Sequence, residues 1–467
     1  MFKKKFVGDL AYAFVSQIVS LLLSIVLSLL VPKLLGLKSF SYWQLFIFYT
    51  NYLMFLHLGL NDGIYLKYGG TRFKDLDLAS IKSQFILGYG YELIFVLLLI
   101  SGNVIFLKDN NRLFVVVLSS VYFLIATAGD FLGNVLQATL NTRKFSISLL
   151  ISRIVFIGFI IVGFVTRQNK FEYYVMMYSI AMVIAVGYCM FECRQLLTTK
   201  MLPFKRTIRD TKDSIFVGSK LMVSNIASML ILGVSRFMVD KNWGIIYFGE
   251  LSFAISITNF FLVFIKQISM VLFPTLRTLN KKDLRKIYHN AKTSLEIILP
   301  SILIMYFPIY KLLELWLPQY HKSLLYLGFL LPLCLFDGKM QMLFNTYLKV
   351  LRMERQLMKI NVISVIVSIA FCGASIFILN NFYLALISLD VVIAFRSIYA
   401  ELSVNRIFEI KPDSFLFVEL SFSSVFIILL FSPNQLLSFL IYFVLYLVFL
   451  IVSHGKLIQV VTELRLL

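Results

Sequence analysis

AYAFVSQIVSLLLSIVLSLLV, residues 11–31, decides the fold class. It carries no Asp, Glu, Lys or Arg. At about 1.5 Å rise per residue such a helix crosses the roughly 30 Å hydrocarbon core of a bilayer. No water is available there, so every backbone N–H and C=O must pair within the segment or around a closed barrel. The alternating ten-residue pattern of a barrel strand does not occur, which leaves a helix. The run follows MFKKK, is longer than a signal-peptide core and has no small-residue cleavage site after it. It reads as a retained first membrane helix.

Blocks of the same kind recur to the end of the 467 residues. They fall near 11–31, 40–60, 85–106, 113–135, 147–166, 173–191, 215–239, 245–274, 293–315, 323–348, 357–378, 382–405, 414–432 and 435–455. The composition agrees. The chain is 60% hydrophobic and 15% charged, with a mean hydropathy of +0.87, where soluble domains are about 45–50% apolar and about 25% charged. The expectation is an all-α integral membrane protein of about fourteen transmembrane helices. The formal charge of +20 does not indicate nucleic acid, because the cations sit in short loops between apolar blocks. Cys189, Cys193, Cys334 and Cys372 lie in or beside those blocks without a His or second Cys pair, and read as small packing residues rather than metal ligands.

Lys and Arg fix the orientation. With the N-terminus in the cytoplasm, the cytoplasmic segments hold 29 of the 44 Lys and Arg, and the outer loops hold 9. Here Lys311 and Lys359, at span ends, are counted with their adjoining loops. A missed helix would invert the bias downstream, so its persistence supports both the count and cytoplasmic termini. The longer cytoplasmic loops look partly helical. NKKDLRKIYHN (280–290) offers Asn280 as an N-cap, and the basic KMLPFKRTIRDTKDS (200–214) suits an interfacial anchor at anionic lipid.

That basic loop lies at the midpoint, with six spans before it, six after and two more at the end. Two halves with an even number of spans share one orientation. VPKLLGLKSF (31–40) aligns with VDKNWGIIYF (239–248) at a constant offset, matching Val31 with Val239, Lys33 with Lys241, Gly36 with Gly244 and Phe40 with Phe248. The expected organisation is an N-lobe at 1–199, a C-lobe at 200–410 that begins with the basic linker, and a C-terminal helix pair at 411–467.

Six cations fall inside spans: Arg153, Lys220, Arg236, Lys266, Lys339 and Arg396. A charge at bilayer depth costs about 2.5–3.5 kcal/mol on insertion scales, so it faces a cavity or a partner. Lys220 and Lys266 are near enough to an interface to snorkel, and Arg236 to cap the outer boundary. Arg153, Lys339 and Arg396 lie deeper. Asp337 and Lys339 are two residues apart and Asp390 and Arg396 six, so neither pair shares a helix face. Each needs a partner from another helix or a ligand. A cationic chamber open to the cytoplasm suits a phosphate or pyrophosphate, which Arg binds through paired donors. Arg153, Lys339, Arg396, Lys266 and Lys220 are the candidate substrate cations. Asp130, Asp337 and Asp390 are candidate coupling carboxylates for H+ or Na+. His57 reads as a hydrogen-bonded helix-end histidine. Pro300, Pro308 and Pro332 interrupt the ninth and tenth spans. Tyr42, Trp43, Trp243 and Trp316 fit interface belts. No cofactor, metal site or phosphate loop of the G-x-x-x-x-G-K-[ST] type is evident.

LGLNDGIYLKYGG (58–70) and SRFMVDKNWGIIYFGELSFAISI (235–257) resemble the corresponding regions of bacterial polysaccharide-repeat (Wzx-type) flippases, in the superfamily that also holds multidrug exporters and the lipid II flippase. The resemblance covers the whole chain in length, helix count and repeat arrangement. It implies two six-helix lobes around a central cavity. It further implies movement of an undecaprenyl-pyrophosphate-linked oligosaccharide across the bacterial cytoplasmic membrane by alternating access, for surface polysaccharide biosynthesis. The polysaccharide polymerase and glycosyltransferases would be partners beside the membrane lipid. The two extra helices favour a flippase over a twelve-helix drug exporter. The first span has no internal Arg, unlike the lipid II flippase branch. The alternative is a cation-coupled multidrug or small-molecule exporter. A membrane enzyme is a third reading, which the absence of a long outer loop disfavours.

Overall fold

The computed structural model describes the backbone of residues 2–139, 141–276, 279–410 and 415–465, without the side chains at 2–14, 16, 264, 266–275 and 457–465. Among the described residues the chain is all helical, with no strand. All fourteen stretches coincide with helices. Eleven are long and apolar enough to cross a membrane, and a bent pair, Pro318–Leu330 with Leu333–Val350, forms a twelfth if taken as one span. The other two stretches meet shorter helices, Leu37–Leu53 and Phe415–Leu430, of 17 and 16 residues. Length and composition alone therefore support eleven or twelve crossings. The outward faces are apolar, with Phe106, Leu315 and Ile378 at least 80% exposed. Water would penalise such surfaces and lipid does not. This is a multi-pass membrane protein.

The chain divides into two compact units, Met1–Ile226 and Ala227–Leu467. In the first, α1 (Phe2–Leu34) ends just before Gly36 and α2 (Leu37–Leu53) begins just after it. A left-handed corner at Leu58 and Gly59 leads into α3 (Leu60–Tyr68). Then come α4 (Leu78–Phe106), α5 (Asn110–Ala138), α6 (Thr142–Val165), α7 (Phe171–Glu192), the short α8 (Arg194–Thr198) and α9 (Phe204–Trp243), inside which the division falls. Two packing devices stand out. Trp43 is 1% exposed and stacks on Phe46 and Phe156, with Tyr178 edge-on. Trp43 and Tyr42 are thus core residues rather than an interface belt, because neighbouring aromatics cover them. The second device is the contact of α3 with the start of α9. A Cβ on Gly63 would lie 1.9 Å from Ser214 O, and one on Gly218 would lie 2.0 Å from Gly59 O. Gly59 and Gly63, four apart, meet Ser214 and Gly218, also four apart, so the two backbones approach through small residues. A polar ladder runs alongside. Ser214 Oγ donates to Gln84 Oε1 (2.6 Å), Gln84 Nε2 to Ser80 Oγ (3.1 Å), and Ser80 Oγ to Asp210 Oδ2 (2.7 Å).

Between α4 and α5, Asp109 caps α5 by accepting from the Asn111 and Arg112 amides, and it accepts from Tyr42 Oη at 2.8 Å. Partial burial alone would raise its carboxyl; these hydrogen bonds outweigh that and hold it below the usual carboxylate range. A depressed carboxyl stabilises the fold above its unfolded value, and that contribution is lost as pH falls through the folded one. Asp109→Asn is therefore expected to lower the unfolding midpoint slightly at neutral pH, with the gap to wild type closing in acid. Thermal scans across pH check this; a gap independent of pH would contradict it.

The second unit holds α10 (Ile245–Leu276), α11 (Lys281–Ile298), α12 (Ser301–Ile304), α13 (Tyr306–Trp316), α14 (His321–Leu330), α15 (Leu333–Lys339), α16 (Asn345–Val350), α17 (Glu354–Gly373), α18 (Phe382–Phe408), α19 (Phe415–Leu430) and α20 (Gln435–Arg465). Gly244, with φ +85°, separates α9 from α10 as Gly36 separates α1 from α2. The two matching decapeptides thus each lie at a junction between successive helices, α1 with α2 and α9 with α10. Asn280 caps α11, accepting from the Asp283 amide at 2.9 Å. Pro300 marks the α11–α12 break, whereas Pro308 sits inside α13. Pro332 separates α14 from α15, which are bent by 52°. A π-turn at Met340–Phe344 follows α15. The last two helices pack onto this unit, where Tyr442 Oη donates to Pro300 O and Tyr446 Oη to Ile297 O, both at 3.2 Å.

Candidate functional site: a cavity and two buried charge groups

The first unit has a half-open cavity of about 230 Å³ bounded by α2, α5, α6 and α7. Its polar wall comes from Thr50, Asn51, Ser148, Ser152, Asp130 and the stacked pair Tyr122 and Tyr178, whose centroids are 5.2 Å apart. Pockets for drug-sized ligands span about 300–1,000 Å³, so this space takes one small moiety. Among its described lining residues there is one carboxylate and no Lys or Arg. Arg153 stands at the edge. It follows Ser152 and lies four residues after Leu149, both in the wall, is partly buried, and interacts electrostatically with Tyr178.

Asp130 belongs to a chain of buried polar groups. Asn61 Nδ2 donates to Asp130 Oδ2 at 2.9 Å and to Thr127 O at 3.3 Å. Thr127 Oγ1 donates to Glu92 Oε1 at 3.2 Å, and Asn134 Nδ2 reaches Asp130 at 3.4 Å. Nearby, the Gly59 amide donates to His57 Nδ1 at 2.9 Å, while His57 Nε2 stands 3.9 Å from Asp62. Asn61 and Asp62 come from LGLNDGIYLKYGG. In the sequence this stretch reads only as the close of the second span and a carrier of the family resemblance; the corner at Gly59 and the polar contacts come from the structure.

In the second unit Arg396, 2% exposed, donates from Nη1 to Asp337 Oδ1 (3.2 Å), from Nε to Asn361 Oδ1 (3.0 Å) and from Nη2 to Ser228 Oγ (2.8 Å). Lys339 sits in a second group. Its Nζ contacts Glu419 Oε2 at 2.5 Å, Glu401 Oε2 at 3.2 Å and Glu296 Oε1 at 3.8 Å. Lys292 Nζ binds Glu401 Oε1 at 2.6 Å and Glu296 Oε1 at 3.6 Å. All five are at most 4% exposed, and they come from α11, α15, α18 and α19. Lys339 and Arg396 thus find their counter-charges on other helices of the protein. Asp337 is engaged by Arg396 and by Gln341 Nε2 at 3.2 Å. Asp390 is buried on α18 away from both groups' bonds. Lys220 is exposed, its ammonium 5.2 Å from the Phe216 ring. Arg236 donates to Ser252 Oγ at 2.8 Å. The Lys266 side chain lies outside the described residues.

No family model and no curated protein matches the sequence. Solved structures do match. A lipid II flippase, MurJ, in an inward closed conformation superposes with a TM-score of 0.66 and 14% identity, over 97% of this chain and 100% of that one. The fold is shared with transporters of the MOP superfamily. An inward-facing multidrug resistance MATE family transporter of that superfamily gives a TM-score of 0.59 at 11% identity, over 88% and 95%. The crystal structure of a MATE mutant gives 0.51 at 10%, over 90% and 96%. At these identities the likeness is one of fold. The neighbours are transporters and flippases.

Proposed function

We propose that the chain is a flippase. It moves undecaprenyl-pyrophosphate-linked oligosaccharide repeat units from the inner to the outer leaflet of the bacterial cytoplasmic membrane by alternating access, supplying surface polysaccharide biosynthesis. It is not an enzyme, and both termini lie in the cytoplasm. The observation that carries this reading is a fold shared with a lipid II flippase over that protein's full length and 97% of this chain. Arg153, at the rim of a tyrosine- and hydroxyl-lined cavity, is the cation best placed to attract a pyrophosphate, and the cavity itself suits one sugar ring. Lys220, at the surface, suits the lipid headgroup layer. Lys339 and Arg396 act through the ion pairs that they make. Polymerase and glycosyltransferases are the partners before and after translocation.

A second reading has one observation in its favour. The cavity wall carries Asp130 and no cation, as a cation-coupled exporter of organic cations would require. Deleting the gene and weighing the lipid-linked intermediates separates the two. The flippase reading expects intact repeat units to accumulate facing the cytoplasm. Complementation with Arg153→Ala should restore export at least tenfold less well than wild type at equal protein level, and Arg153→Lys should do so only partly. Normal intermediates in the deletion, with altered drug tolerance, would favour the exporter.

A further inference from the structure

Beside the ends of α5 and α7 the first unit carries another half-open cavity, of about 330 Å³. It shares no lining residue with the cavity that Asp130 lines. Its charged wall is Lys74, from the short turn Phe73–Asp75, Lys144 of α6, Glu192 of α7 and Arg194 of α8. Lys144 Nζ pairs with Glu192 Oε2 at 2.5 Å. The Arg194 guanidinium lies 5.1 Å from the Phe191 ring. Among the described residues neither Lys74 nor Arg194 has a carboxylate within ion-pair distance. Three cations against one acid leave this wall at a net charge of +2. Asn141, also in the wall, begins α6 without a side-chain cap, so the positive end of that helix adjoins the same space.

One lip of the cavity belongs to a lipid-facing surface. Phe191 is exposed, and with Met176, Ile180, Ile184 and Gly187 it forms one exposed face of α7 at helical spacing. That face is apolar and suits acyl chains. A basic space at the foot of an apolar stripe fits a molecule with an anionic head and apolar tails. A soluble anion would use the cations and leave the stripe uncovered. We propose that this cavity binds the headgroup of one anionic phospholipid, its phosphate held by Lys74 and Arg194 and an acyl chain lying along the exposed face of α7. Lys144 neutralises Glu192, so that carboxylate does not repel the phosphate. The orientation proposed above puts this end in the cytoplasmic leaflet, where basic pockets meet anionic lipid. The site itself does not rest on the flippase reading.

Native mass spectrometry of the purified full chain in mixed micelles counts bound lipid without any transport assay. Wild type should retain one phosphatidylglycerol in preference to phosphatidylcholine. A cation near an anionic lipid surface is worth about fivefold in affinity, so Lys74→Gln combined with Arg194→Gln should bind phosphatidylglycerol roughly twentyfold more weakly. That variant should keep its unfolding midpoint in lipid-free detergent, and the charge-conserving pair Lys74→Arg with Arg194→Lys should bind nearly as wild type does. Lys281→Gln with Lys282→Gln removes as much charge from the exposed start of α11 and should leave binding unchanged. Equal binding by wild type and the cavity double variant would overturn the proposal, as would an equal loss in the α11 variant. So would retention of phosphatidylcholine as strong as that of phosphatidylglycerol. Displacement of the lipid by millimolar inorganic phosphate would also overturn it, making the ligand a soluble anion. Failure of the flippase reading would leave the expected binding intact.

Discussion

Lys339→Met should lower the unfolding free energy by about 3–5 kcal/mol, the range for leaving a buried ion pair with one partner. The ammonium is 1% exposed and stands between Glu419, Glu401 and Glu296. Met keeps the length of the side chain and removes the charge, so Glu419, fully buried, loses its ion-pair partner. Lys292 still serves Glu401. Adding Glu419→Gln should therefore recover most of the loss, a coupling that the double-mutant cycle reads directly. Thermal unfolding in detergent is the measurement. If Lys339 instead serves a substrate headgroup, Lys339→Met would unfold like wild type and fail only in export.

Gly218→Ala is expected to cost about 3 kcal/mol, the upper end for overpacking, because the obstacle is backbone rather than a movable side chain. The added Cβ would fall 2.0 Å from Gly59 O and 2.4 Å from Gly63 N. Gly63→Ala meets Ser214 O from the other side and should behave alike. The two effects should not add, since either substitution already separates α3 from α9. Gly158→Ala, inside α6 with nothing within 4 Å, is the control and should keep or raise stability, by up to about 1 kcal/mol. An unfolding midpoint for Gly218→Ala equal to that of the control would show that this crossing is looser than the geometry implies.

What the sequence makes legible is whatever follows from local chemistry. A 21-residue apolar run, the Asn280 cap and the break at Pro332 each act over a few residues, and each appears where expected. The buried charges show the opposite case. That Lys339 and Arg396 need partners follows from their depth, but which carboxylates answer them depends on helices 43 to 80 residues away. Sequence reading also passes over Glu296 and Glu419, although both fall inside predicted spans. Lys292 and Glu296, four apart, form a pair that helix periodicity alone could have suggested. The small-residue spacing Gly59–Gly63 and Ser214–Gly218 was likewise present, but its meaning appears only when the two are seen to face each other. Tyr42 and Trp43 look like interface residues because they sit near a span end; burial against Phe171, Phe46 and Phe156 makes them core.

The central claim is that the chain carries a lipid-linked oligosaccharide across a bilayer. It is tested most directly by reconstituting the purified protein into liposomes that hold a polyprenyl-pyrophosphate oligosaccharide with a fluorescent sugar. A membrane-impermeant quencher then reads how fast the protected leaflet empties. The account predicts loss of protected signal well above that of protein-free liposomes, sharply reduced by Arg153→Ala. Protection equal to that of empty liposomes, in vesicles that still take up an organic cation, would contradict it.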